Sequence, residues 1–354
     1  MKTKKRFHQR FICLACGHSW SCHKKPSNFV SLREKDICRA SLERGSLRIL
    51  GRRYGKSRTA IMKAVHKVVK EVKDSLWVAQ HYDLHWSGVL AIDGKSIRVY
   101  NQLSRKLDLS KLTLWERICL NKKVWLCGID CGTGDLPHYE LADEETMIDL
   151  VLFFRQLKNI GYPLKALVSD GNEEIIRAAR LVYGSGFFHQ LCTRHFIEGL
   201  KRKARENGWD ADRDTNRLIY FIQLVIEAGT IESSAERLAE LKRWRTFGAG
   251  QRELLKMFYD RLDELTTHLQ HQETSIPHTT NEIENLFRQL NLRLKSWGIF
   301  GSYRHARGYL KTWALWRRCT PFTDCRGVRK TRNGQFPLQL ACRKKLVDID
   351  FLSP

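Results

Sequence analysis

The sequence is short of acid. Its 354 residues hold 38 Asp and Glu against 62 Lys and Arg, a formal net charge of +24. That imbalance points to a polyanionic partner, nucleic acid ahead of an acidic protein or a membrane surface, and says nothing about fold. Long apolar runs are also missing. The best candidate, Met147 to Phe154, is far below the ~18 residues of a membrane span and contains Asp149, so no membrane association is expected. The stretch Met1 to Arg10 is basic, but no apolar h-region follows it, which argues against a secretory signal. With only 7 prolines there is no Pro-rich linker, and neither repeats nor low-complexity segments are visible, so domain joints must come from pattern. Of 11 cysteines, all but three are scattered without framework spacing. An odd count in a chain of this length implies reduced thiols and a cytoplasmic location.

What remains is enough for two or three domains with a sizeable core. The division expected is a Cys/His arm (1–30), a helical unit (31–80), a region of alternating strand and helix signals (88–204), a helical stretch (205–275), a further helical pair (276–318) and a basic tail (319–354). In the arm, Cys13 and Cys16 form a C-x-x-C knuckle bracketed by Phe11 and Trp20. Two thiolates so spaced can hold one side of a tetrahedral zinc ion. Cys22 with either His18 or His23 would complete it; a half-ribbon lacking its partner pair, or a metal-free basic arm, are the alternatives.

Three helices are expected next: Leu32 to Glu43, Ser46 to Tyr54 with a Ser cap and a Gly55 stop, and Ser57 to about Lys73. Their rhythm is that of a helix-turn-helix. On the third, Ala60, Ile61, Ala64, Val65, Val68, Val69 and Val72 form one apolar face. Thr59, Lys63, His66, Lys70 and Lys73 share the opposite face, within about 80° at ~100° per residue. With Arg58, that acid-free face suits the major groove of double-stranded DNA; a solvated face on a helical bundle is the bland reading.

The strand Val89 to Val99 carries Asp93 near its middle. A buried carboxylate is costly unless paired, and a metal ion would resolve the cost. A hairpin (Val124 to Asp130 and Pro137 to Leu141), a helix (Glu144 to Ile160) and a short strand (Leu164 to Ser169) then lead to Asp170. Helix Glu173 to Tyr183, strand Phe187 to Leu191, and Cys192-Thr193-Arg194-His195 opening a basic helix follow. This is the layout of an α/β, ribonuclease-H-like core, with two aspartates on neighbouring strands suited to magnesium or manganese. A third acid is expected on the helix that begins near Thr279. Glu282 fits a capping box with Thr279, whereas Glu284 shares a polar stripe with Asn281, Arg288, Asn291 and Lys295. An i,i+4 pair between Glu284 and Arg288 is the structural alternative. The helix Tyr303 to Arg318 interleaves cations with aromatics; Arg304 and Arg307 are its best candidates for DNA contact, while Trp313 and Trp316 are expected to be packed.

Four blocks, Ile92-Asp93-Gly94-Lys95, Ser169-Asp170-Gly171, Gln190 to His195 and Thr280-Asn281-Glu282-Ile283-Glu284, resemble in order and surroundings those of mutator-type insertion-sequence transposases. The stretch Arg293 to Ser302 resembles the segment that follows their catalytic glutamate. The gaps of 77 residues from Asp93 to Asp170 and 114 from Asp170 to Glu284 leave room for the all-helical insertion of that family, here about 205–275. The resemblance implies that Asp93, Asp170 and Glu284 hold the magnesium ions of DNA cleavage and strand transfer. It implies that Cys192 and His195, with Asn281 and Arg288, support the site, although a core thiol and a capping imidazole would explain the first two equally well. Pairing two DNA ends implies a homo-oligomer associated with the nucleoid. A DNA-binding factor on a degenerate core and a structure-specific nuclease are the rival readings.

Overall fold

The computed structural model describes residues 11–12, 19–20, 30–43, 46–99, 122–244, 247–343 and 352. Cys13, Cys16, His18, Cys22 and His23 lie outside them, and with them the expected zinc knuckle. The chain divides into two compact units, Met1–Glu71 and Val72–Pro354. Among the described residues no helix is long and apolar enough to cross a membrane.

In the first unit, strands β1 (Phe11–Ile12) and β2 (Ser19–Trp20) pair antiparallel, setting Phe11 opposite Trp20. Helices α1 (Leu32–Glu43), α2 (Leu47–Tyr54) and α3 (Arg58–Val68) follow. Ser46 and Ser57 cap α2 and α3 by accepting from the amides of Ile49 and Ala60, and Gly55 ends α2 in the left-handed region at φ 60°. Ile37, Leu42, Leu47, Leu50, Ile61 and Val65 form the core. The third helix is shorter than expected. Val69 caps it, and the Glu71 amide turns back to the Val68 carbonyl, so Lys70 and Lys73 lie beyond its end. Consecutive β-branched Val68 and Val69 are weak helix formers, and tertiary burial rather than helical continuation decides their conformation.

The second unit is α/β. After α4 (Ser75–His81) come β3 (Val89–Arg98), β4 (Lys122–Asp130), β5 (Tyr139–Ala142), α5 (Met147–Asn159), β6 (Ala166–Ser169), α6 (Glu173–Tyr183) and β7 (Phe188–Leu191). The five strands form one mixed sheet in the order β5-β4-β3-β6-β7. β3 is central, antiparallel to β4 and parallel to β6. Leu90, Ile92 and Leu126 face α5 and α6, where Leu150, Phe153, Phe154 and Leu157 complete the main core. Val89 and Ala91 turn to the other face with Val168 and Ile276, and period-two alternation sends Asp93 to that face.

Helices α7 (Thr193–Glu206), α8 (Arg213–Ile226), α9 (Ile231–Lys242), α10 (Ala249–Tyr259) and α11 (Leu262–Gln270) share a separate apolar cluster that includes Leu218, Ile222 and Phe258. Gln190 fastens this helical module to β7: its amide donates to the Leu265 carbonyl and accepts from the His268 amide. Helices α12 (Asn281–Trp297) and α13 (Tyr303–Arg318) pack on the sheet, with Phe287 and Trp313 against Trp125. A short helix α14 (Pro337–Ala341) is the last among the described residues.

Candidate active site

Asp93 and Asp170 arrive on adjacent parallel strands, Asp93 within β3 and Asp170 one residue past β6. Asp93 Oδ1 accepts from the Gly94 amide at 2.7 Å, and Asp170 Oδ1 from the Asn172 amide at 3.1 Å. Burial lifts the Asp93 carboxyl to about 6; the Gly94 amide works against that rise and the Asp170 charge adds to it. Gly171 follows at φ 95°, where a Cβ would come within 2.7 Å of Leu191 Cδ1, so the turn that delivers Asp170 needs glycine for both conformation and space.

A further carboxylate, absent from the sequence-derived set, stands beside the two aspartates. Helix α5 begins at Met147, later than expected, because Thr146 caps it and exchanges hydrogen bonds with Asp149. Glu145 is thereby left in the preceding loop. Its Oε1 accepts from Asn172 Nδ2 at 3.4 Å, and its Oε2 lies where a Cβ on Gly94 would come within 2.7 Å. Burial raises the Glu145 carboxyl first, and the charges of Asp170 and Asp93 raise it further. Thr146, a residue type suited to an N-cap, was a readable signal for that helix start.

The third expected acid, Glu284, meets the Cys192–His195 block rather than the two aspartates themselves. Four consecutive residues of that block each meet the α12 entry. The Thr280 amide and hydroxyl face Cys192 Sγ at 3.4 and 3.3 Å. The Thr193 amide donates to the His278 carbonyl at 2.9 Å. Arg194 forms an ion pair with Glu284 Oε2, and His195 Nε2 lies 3.6 Å from Glu284 Oε1. The Thr280 hydroxyl also lies 3.2 Å from Glu284 Oε1, so its single proton serves the sulfur or the carboxylate at one time.

His195 links the two halves of the site. Contact with the Cys192 sulfur raises its imidazole, burial opposes this, and the charges of Asp170 and Asp93 raise it again. Burial pushes the Cys192 thiol up, but His195 and Thr280 outweigh it and bring the thiol down to about 7. His195 Nδ1 is buried without a well-formed hydrogen bond, so its relation to Cys192 is one of charge and proximity.

Several expectations change here. Thr279 makes no capping box with Glu282; the N-cap is Thr280, whose hydroxyl is turned to Cys192 and Glu284. Glu282 is held instead by Arg329 and Arg332. Arg288 donates to Asn285 rather than pairing with Glu284. Asn281, Arg288, Lys295 and Arg304 are exposed. Arg307 is exposed but pairs with Glu140 at 3.4 Å. Arg318, on the same helix, is fully buried in a two-pronged pair with Asp135. Trp313 is buried and Trp316 half-buried. In the first unit Arg58, Thr59, Lys63 and Lys70 are exposed and His66 is half-buried. There Arg48, Arg52, Lys56 and Arg58 line a cleft of about 630 Å³ beside the start of α3.

Hard carboxylate oxygens are the donors a hard divalent cation takes, but among the described residues no group of three or more His, Cys, Asp or Glu side chains is placed to hold a metal ion. Burial first, and the neighbouring acidic charges after it, hold Asp93 and Glu145 up; a bound cation would relieve the charge part. No protein-family model matches the sequence, and no curated protein matches it.

Proposed function

We propose that this chain is a DNA transposase whose second unit is a ribonuclease-H-like core interrupted by a helical insertion, α8 to α11. The observation that carries the reading is the convergence of four sequence blocks. Asp93 and Asp170 sit on neighbouring strands, and His195 bears on both while standing 3.6 Å from Glu284.

In this reading Asp93 and Asp170 hold magnesium or manganese, and Glu284 joins them once Arg194 releases it. Bound ions of this kind supply an activated oxygen nucleophile and charge stabilisation for in-line phosphoryl displacement. The chain's own residues prepare that chemistry. Asp93 must be ionised, which favours pH above about 6. Arg194 is exposed on its α7 turn and, freed from Glu284, can meet a phosphate. His195 as imidazolium offsets the crowded acids in the resting chain. The exposed Arg58, Thr59 and Lys63 of α3, with Lys70 beyond it and the Arg48–Arg52–Lys56 cleft, bind double-stranded DNA. Lys295, Arg304 and Arg307 engage DNA near the core. The Cys13, Cys16, Cys22 and His23 knuckle would hold zinc. Joining two ends requires a homo-oligomer, at the nucleoid of the cytoplasm.

The pairing of Glu284 with Arg194 also fits a second reading, a DNA-binding protein that does not cut. A strand-joining assay separates the alternatives. Purified full-length chain is mixed with a pre-cleaved duplex of the gene's own flank and a supercoiled target, in magnesium or manganese. Covalent joining of flank to target supports the transposase. Target nicking without joining indicates a nuclease, and tight binding with neither indicates the DNA-binding protein.

A further inference from the structure

We infer that Arg329 and Arg332, in the segment after α13, are positioning residues: through Glu282 they fix the first turn of α12 and therefore the place of Glu284. The inference rests on the reading of Glu284 given above.

The segment is a folded strap. Cys325 and Asn333 close it on themselves, the Cys325 amide donating to Asn333 Oδ1 at 2.8 Å and Asn333 Nδ2 to the Cys325 carbonyl at 3.1 Å. A 3-10 turn, Gly327–Arg332, lies within this loop. Phe322 supports it from outside, bridging to Asn333 and lying under the Arg332 guanidinium at 6.0 Å.

Arg332 then ties three pieces together. Its Nη2 donates to the carbonyls of Cys131 and Gly132 at 2.7 and 2.8 Å, in the turn between β4 and β5. Its Nη1 donates to Glu282 Oε1 at 3.1 Å, and Arg329 Nη1 reaches the same oxygen at 2.7 Å. The side chains of Arg332 and Glu282 are each only 14% exposed. Two charge-assisted bonds to one shielded carboxylate oxygen make a strong local tie. Glu282 is two residues from Glu284, and the amides of Ile283 and Glu284 both bond back to the Thr280 carbonyl in that same turn. The two acids of Thr280-Asn281-Glu282-Ile283-Glu284 therefore divide the work: Glu282 anchors the turn, and Glu284 serves the site.

The test compares full-length wild type with Arg332→Gln, Arg332→Lys and Arg329→Gln. The last removes a half-exposed side chain, so it preserves folding should the first prove unstable. Hydrogen exchange is followed in peptides covering residues 280–290 and in the central strand, and magnesium-dependent DNA cleavage is measured alongside. Expected in Arg332→Gln and Arg329→Gln is exchange of the Ile283 and Glu284 amides about tenfold faster, with the β3 amides unchanged. Cleavage should fall about 10- to 100-fold at unaltered DNA affinity, with partial rescue in Arg332→Lys. Unchanged exchange in the first turn overturns the inference. So does faster exchange spread evenly through the sheet, or a loosened turn that cuts DNA at the wild-type rate. A loosened turn in a protein whose wild type never cuts keeps the anchoring role and sinks the transposase reading instead.

Discussion

Asp93 is the residue whose state most directly reports on the site. Burial and Asp170 hold its carboxyl at about 6, above the usual 3.8. A carboxyl raised on folding contributes stability that is full below the ordinary value and is lost as pH rises through about 6. In cation-free buffer, Asp93→Asn should therefore be more stable than wild type at pH 8. The difference should be roughly 1–2 kcal/mol, discounted for the water that still reaches the side chain, and it should vanish near pH 4. Thermal unfolding at the two pH values checks this; a difference independent of pH would contradict the raised Asp93 carboxyl. Glu145 was not legible as a site residue because its position depends on where α5 starts. A helix drawn from Glu144 puts it on a solvated first turn, whereas the Thr146 cap leaves it facing Asn172 and Gly94. Glu145→Gln should lower cleavage by about 10- to 100-fold while leaving DNA affinity intact, as read by initial rates and by band shift.

At the scale of elements, caps and alternation carried most of the information. Ser46, Gly55 and Ser57 bounded two helices, and the apolar rhythm around Asp93 and Asp170 set two strands in their correct order. Where the reading failed, a distant partner decided. Thr280 and not Thr279 holds the N-cap position of α12, with its hydroxyl turned to Cys192 and Glu284 instead of the helix amides, and Glu282 is taken by Arg329 and Arg332 rather than by a capping box. The same holds for α13, where Arg318 sits in a row of cations yet is buried against Asp135, which also accepts from Trp86 at 2.9 Å. No local signal separates it from the exposed Arg304. Removing one member of a buried pair strands the other, so Arg318→Ala should cost about 3–5 kcal/mol in urea unfolding. Replacing the pair together, Arg318→Met with Asp135→Leu, should recover most of that loss. Equal losses in the single and double variants would mean that packing, not charge, holds α13 to the sheet.

For the molecule as a whole, an α/β class with a mixed sheet and a helical module beside it was readable from alternating periods alone. The antiparallel pairing of β5 with β4 follows from the short hairpin between them, and the parallel pairing of β6 with β3 from the helical crossover of α5. The meeting of Cys192–His195 with the α12 entry was beyond local pattern, since 85 residues separate Thr193 from His278 and only the folded helical module closes that gap. The net charge of +24 makes a prediction of its own. If about 6–10 phosphates are neutralised, affinity for duplex DNA should fall about 10³- to 10⁵-fold between 50 and 200 mM salt. A flat salt response would mean that the positive charge serves another partner.

The most direct measurement is magnesium-dependent cleavage of duplex DNA carrying the gene's own flanks, with wild type beside Asp170→Ala and Glu284→Ala. Cutting at the element's ends by wild type, with both variants binding the duplex and leaving it intact, is the predicted result. Equal cutting by wild type and either variant, or tight binding without cutting by all three, would contradict a shared carboxylate site for DNA cleavage.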